Sequence, residues 1–166
     1  MFRYTVPSAR AYGASPTAAS GGEDAYEQIN DSPDVPTTNS YLQNNPATDA
    51  SAFLLLSDMP GSFVTASGVT FVAHVTGTGF TDDTCNLYAQ VFQSDETSAL
   101  TDEMLIATEV TDGKVSVPAT GVVAGNKTQW DGARLRLRWD HTVVSATDTG
   151  AHIRVNEARA LINYTT

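Results

Sequence analysis

Three arginines occupy alternate positions in Ala133-Arg134-Leu135-Arg136-Leu137-Arg138-Trp139. On a β-strand this spacing places all three guanidinium groups on one face, where planar cations with several donors pair with carboxylates. Those carboxylates belong either to an adjacent strand of the same chain, in exposed pairs each worth little, or to a partner subunit. Arg134, Arg136 and Arg138 are therefore candidate interface residues. The three histidines, His74, His141 and His152, fall on different segments, and none stands at a metal-ligand spacing relative to another or to Cys85. A structural or surface role is expected for each. Asp82-Asp83, Asp95-Glu96 and Asp102-Glu103 are acidic pairs without the D-x-D-x-D-G pattern of a calcium loop and are expected to be solvated. Gly77-Thr78-Gly79 is too short for a phosphate loop, and nothing resembles a G-x-S-x-G elbow. Neither a metal, a cofactor nor a catalytic site is expected.

Composition narrows the classes further. The 166 residues carry 19 acidic against 9 basic side chains, a formal net charge of −10, which disfavours a protein that neutralises nucleic-acid phosphates. One cysteine cannot make an intrachain disulfide, so a disulfide-stapled scaffold is excluded. No apolar run has the length of a membrane span, and the first residues are not followed by the apolar stretch of a signal peptide. A soluble protein with neither nucleic acid nor membrane as partner is expected.

From residue 51 the hydrophobic pattern has the period of two that marks half-buried strands. Ser51–Ser57 reads as a strand closed by the Pro60-Gly61 turn, and Val69–Thr76 as one with its odd positions buried. Cys85, Leu87, Ala89 and Val91 form the inward row of a third strand, with Asn86, Tyr88 and Gln90 outward. Residues 93–102 read as an exposed acidic connection. Met104–Val110 and Lys114–Val117 flank Thr111-Asp112-Gly113, and Asp-Gly between apolar runs predicts a hairpin. In the arginine strand Leu135, Leu137 and Trp139 point inward. The strand from Ile153 to Tyr164 changes parity between Val155 and Ala158, so a bulge is expected near Asn156-Glu157.

Short strands at this spacing, without a convincing amphipathic helix, predict an all-β protein: an antiparallel two-sheet sandwich, read as a jelly roll closed by pairing of its first and last strands. Residues 51–166 form that domain, and residues 1–50 form a long irregular N-terminal arm. Five prolines among Ser, Thr, Ala, Gly and Asn break any period in the arm. It nonetheless carries Phe2, Tyr4 and Tyr12, which are candidate docking residues. Two placements are open, over its own domain or on a neighbouring subunit.

The run Trp130–Trp139, followed after a polar loop by Ile153–Tyr164, resembles the ending of a group of tailed-bacteriophage virion proteins. Those proteins have a W-x-x-A-x-L-x-V-R strand and a closing V-R-V…L-x-V-x-Y strand behind an irregular N-terminal stretch. Tyr26-Glu27-Gln28-Ile29-Asn30-Asp31, Asp34 and Ser40-Tyr41-Leu42 are similar to that group's acidic entry segment. The resemblance implies a structural virion protein, expected to be a capsid decoration (cement) protein on the outside of the head. Its partner would be the major capsid protein, it would be made in the host cytoplasm, and avidity favours a homo-oligomer, expected to be a trimer. The alternative is a carbohydrate- or receptor-binding module of the tail. That reading predicts aromatics clustered on an exposed face, with Trp130, Trp139, Tyr88 and Phe92 as the candidates. An enzyme is not expected, because no acid/base or nucleophile constellation is found.

Overall fold

The computed structural model describes residues 2–5, 17–18, 42–43, 50–144, 148 and 150–166. In chain order the described strands are β1 (Phe2–Thr5), β2 (Thr17–Ala18), β3 (Leu42–Gln43), β4 (Ala50–Leu55), β5 (Thr65–Thr78), β6 (Thr84–Phe92), β7 (Met104–Thr108), β8 (Asp112–Pro118), β9 (Arg134–Thr142) and β10 (His152–Thr165). One helical turn, α1 (Lys127–Trp130), precedes β9; Asn126 caps it with a reciprocal side-chain and backbone exchange with Gln129.

Two antiparallel sheets face each other. One runs β2-β3-β10-β5-β8, with β1 also on β10, and the other runs β4-β9-β6-β7. From β3 to β10 this is the order of a jelly roll: successive nested strand pairs, β3 with β10, β4 with β9, β5 with β8 and β6 with β7, alternate between the sheets. The expected all-β sandwich is present, but its closure differs from the expectation. The first long strand, β4, pairs with β9, whereas β10 lies in the opposite sheet beside β5. The apolar length of β4 and β10 reflects their shared core, which they line from opposite sides. The sandwich also begins earlier than residue 51, since Leu42 of β3 is only 1% exposed and belongs to that core.

Alternation decides what lies inside. Cys85, Leu87, Ala89 and Val91 from β6 and Leu135, Leu137 and Trp139 from β9 are buried, as the period of two requires. They meet Phe71, Ala73 and Val75 of β5 and Ile153, Val155, Ala158, Ala160 and Ile162 of β10. The indole N–H of Trp139 donates to the carbonyl of Ile153 at 3.0 Å and so ties the two sheets together through the core. In β10 the register against β5 steps from Val155↔Val75 to Glu157↔His74. Asn156 is the extra residue, and the bulge restores Ala158, Ala160 and Ile162 to the inner face.

The Asp112-Gly113 hairpin does not form. β7 pairs with β6 and β8 with β5, in different sheets. A turn in which Thr111 N–H donates to Thr108 C=O at 2.9 Å carries the chain across the end of the sandwich instead. Gly113 has φ of +109°, so its glycine character serves the start of β8 rather than a two-residue loop. The crossing is tight: a Cβ on Gly77 would stand 1.8 Å from the Glu109 carbonyl oxygen, and the Gly77 N–H donates to Thr111 C=O at 2.9 Å.

Residues 93–102 are not simply exposed. Leu100 is fully buried, its N–H donates to Val91 C=O at 2.8 Å, and Thr101 Oγ1 accepts from Val91 N–H at 3.0 Å. Leu100 and the buried Thr101, with the Phe92↔Ala99 bridge beside them, pin this connection to the core.

Candidate functional site

The outer face of the β4-β9-β6-β7 sheet gathers more polar chemistry than any other described surface. Because Leu135, Leu137 and Trp139 point inward, Arg134, Arg136 and Arg138 point outward in one row. Antiparallel register sets them beside Phe92, Gln90 and Tyr88 on β6 and beside Leu55, Phe53 and Ser51 on β4. The guanidinium of Arg138 lies 4.4 Å from the Tyr88 ring centroid, that of Arg136 lies 4.8 Å from Phe92, and Phe92 meets Phe53 edge-on at 5.8 Å.

Two of the carboxylates, Glu96 and Glu103, come from the loop between β6 and β7, and the third, Asp140, from β9 itself. Glu103 binds Arg138 through both oxygens, accepting from Nε at 2.9 Å and Nη2 at 2.8 Å, and accepts from Arg136 Nη2 at 2.6 Å. Arg136 also donates to Gln90 Oε1 at 2.7 Å, Arg138 to Asp140 Oδ2 at 3.0 Å, and Arg134 to Glu96 Oε1 at 3.3 Å. The loop is fixed in turn: Gln90 Nε2 donates to Thr101 C=O, and Asp95 accepts from the backbone of Thr97 and Ser98 and from the Ser98 hydroxyl. Those bonds hold the Asp95 carboxyl at about 2. The hydrogen bond from Arg138 holds Glu103 below the usual glutamate range, and the same bond raises Arg138. Within the chain the three arginines pair with its own carboxylates, Glu96, Glu103 and Asp140.

A second polar cluster lies at the end of the sandwich where the β5–β6 and β9–β10 loops meet. Asp148 Oδ2 accepts from three successive backbone N–H groups, of Thr81, Asp82 and Asp83, each at 2.8 Å. Converging donors of this kind favour the anion, and they depress the Asp148 carboxyl to about 2. Asp83 itself is buried: Oδ1 accepts from Val144 N–H at 2.7 Å, and Oδ2 stands 3.3 Å from His141 Nε2. The expectation of a solvated Asp82-Asp83 pair thus holds for Asp82 and fails for Asp83, whose carboxylate finds partners across the loop. His141 packs against Phe80, and the His152 ring Nδ1 stands 2.6 Å from Gly150 C=O. Burial holds His152 below the ordinary histidine range. His74 is half-buried on β5, and Cys85 is fully buried on the inward row of β6.

Among the described residues no group of three or more His, Cys, Asp or Glu converges as a metal site. The four candidate aromatics of a sugar-binding face do not assemble. Trp130 and Trp139 are fully buried, Phe92 is 7% exposed, and Phe92 and Tyr88 each carry a guanidinium over one ring face. A tryptophan on a strand beside inward leucines joins their core, and this is what removes Trp139 from the surface. Phe2 and Tyr4 lie in β1, whose backbone pairs with β10, and Tyr12 lies outside the described residues. Glu103, Glu96, Gln90 and Asp148 were not singled out as site residues by sequence; the signals were acidic character in loops for Glu96, Glu103 and Asp148 and the outward parity of Gln90 on its strand.

No protein-family model and no curated protein matches the chain. Among solved structures it is similar to two variants of a family 29 carbohydrate-binding module studied for ligand recognition. One aligns with 11% identity and a TM-score of 0.42, covering 97% of this chain and 92% of the module. The other aligns with 10% identity and a TM-score of 0.41, covering 97% and 91%.

Proposed function

We propose that this chain is a structural protein of a tailed-phage virion, seated as a decoration protein on the outer surface of the head and contacting the major capsid protein as a homotrimer. The reading rests on the resemblance of Trp130–Trp139 and Ile153–Tyr164 to phage virion strands. These two runs supply β9, β10 and the turn before β9, so the shared pattern belongs to the sandwich core. The observation that favours a structural role over glycan binding is the state of the outer arginine face. Its cations are matched by Glu96, Glu103 and Asp140, Tyr88 and Phe92 each lie under a guanidinium group, and Phe53 meets Phe92 edge-on. A cross-braced face of balanced charge suits contact with another protein surface. Arg134, Arg136, Arg138, Phe2, Tyr4 and Tyr12 are the proposed contact residues.

Mass spectrometry of purified particles tests the assignment. The expected result is this chain at a stoichiometric copy number in intact heads and its loss from particles stripped of external proteins. Absence from purified virions overturns it, and presence only in isolated tails together with glycan-array binding replaces it with the receptor-binding reading.

A further inference from the structure

β10 is fully paired with β5 along one edge. Its other edge is covered in two pieces, by β3 at Arg154–Val155 and by β1 in the register Phe2↔Asn163, Arg3↔Ile162, Tyr4↔Leu161 and Thr5↔Ala160. β1 is therefore a short ladder at the far end of the arm, added to a strand edge that any copy of the chain presents identically. An edge strand exposes N–H and C=O groups in a row and accepts an extended segment of matching register whatever chain supplies it. The connection to β2 sets the reach of β1. Along β10 the β1 and β3 ladders are five residues apart, a gap of roughly 17 Å at about 3.3 Å per residue. With β2 held against β3 by the pairing Thr17↔Gln43 and Ala18↔Leu42, residues 6–16 still span up to about 40 Å fully extended. From Thr5, opposite Ala160, to Thr17, level with Arg154, closure demands roughly 20 Å along β10, about half of that reach.

We propose that β1 is an exchangeable strand: in assemblies of this chain, residues 2–5 of one copy pair with the β10 edge of a second copy in the register seen within one chain. No contact is lost by the exchange, because the donated and the internal ladder are the same, so concentration decides between them. Tethered pairing acts at an effective concentration on the order of mM, and copies packed side by side reach the same range. Dilute chains close on themselves, and crowded chains link. The inference is separate from the virion assignment, since it needs only the purified protein.

Disulfide trapping across the register tests it. Opposed residues of an antiparallel pair have Cα atoms about 4.5–5.5 Å apart, within disulfide range, and the native Cys85 is fully buried. Tyr4→Cys and Leu161→Cys are made separately in full-length protein, one of them isotope-labelled, mixed natively at roughly 1 mM and oxidised. The expected product is a mixed disulfide dimer, in excess of either homodimer and falling severalfold on dilution to micromolar chain. The double variant Tyr4→Cys/Leu161→Cys should close within one chain when dilute, which checks the register. Closure of the double variant with no mixed dimer from the single variants at any concentration overturns exchange. Failure of the double variant to close overturns the pairing on which exchange depends.

Discussion

Replacing Glu103 by Gln isolates the hub of the arginine face while keeping its shape. The carboxylate accepts three charge-assisted bonds, two from Arg138 and one from Arg136. Such bonds are worth about 1.5–3 kcal/mol each when sheltered, whereas fully exposed ion pairs are worth about 0.2–1 kcal/mol. These side chains are 24–30% exposed, so they lie between the limits. Arg136 keeps Gln90 and Arg138 keeps Asp140, which further limits the loss. The expected destabilisation is about 1–2 kcal/mol, or a melting temperature lower by about 3–6 °C for a chain of this size. The pH dependence supplies the sign. Because Arg138 holds the Glu103 carboxyl below its ordinary value of 4.5, the stabilisation is complete above that value and fades as pH falls through the folded one. Thermal denaturation of both proteins should therefore show a full difference at neutral pH that shrinks below about pH 4. Equal melting temperatures at neutral pH, or a difference that persists unchanged in acid, would refute the assignment of Glu103 as the hub.

Asp148→Ala should free the Thr81, Asp82 and Asp83 amides, raising their hydrogen-exchange rates by more than tenfold while the β-sheet spectrum persists. With the Asp148 carboxyl lowered from 3.8 to about 2, wild-type protection of those amides should be complete above 3.8 and be lost only as pH falls toward 2. Trp139→Phe leaves the Ile153 carbonyl without its indole donor in the core and should cost about 1–3 kcal/mol in urea denaturation; a change under about 0.5 kcal/mol would count against the cross-sheet bond. Gly77→Ala forces a Cβ against the Glu109 backbone and should cost about 3 kcal/mol or prevent folding. A stable Gly77→Ala protein would place the β7–β8 crossing elsewhere.

What the sequence makes legible is whatever obeys a strict local period. The arginine strand, the Cys85 row and the parity change in β10 are visible because inward and outward positions alternate, and a bulge is the one local device that shifts that alternation by a single residue. The Asp112-Gly113 turn misleads because its local chemistry is the same whether the flanking strands pair with each other or with β6 and β5; sheet membership is decided by partners far away in sequence. The outward direction of the arginines is legible for the same reason as their strand. Their partners are not, since Glu96 and Glu103 reach them through a loop that Leu100 and Thr101 hold against the core. Asp148 is less legible still: its donors are backbone groups of residues 81–83, which carry no side-chain signal. β1, β2 and β3 escape notice because two to four residues hold too few alternations to stand out among prolines and small polar residues.

The position of β10 shapes how the chain acquires its structure during synthesis. Residues 152–165 follow every other described strand in the sequence, yet they sit between β5 on one side and β1 and β3 on the other. Until they leave the ribosome, β5 has only β8 beside it, β3 has only β2, and β1 has no strand to join. The β4-β9-β6-β7 sheet can form its ladders earlier, but its apolar inner face must wait for a cover. Such a layout puts the longest-range contacts last, favours slow and all-or-none folding, and leaves incomplete chains with open edges that quality-control proteases recognise. Fragments ending before β10 lack the strand that joins β5 to β1 and β3 and so never complete that sheet.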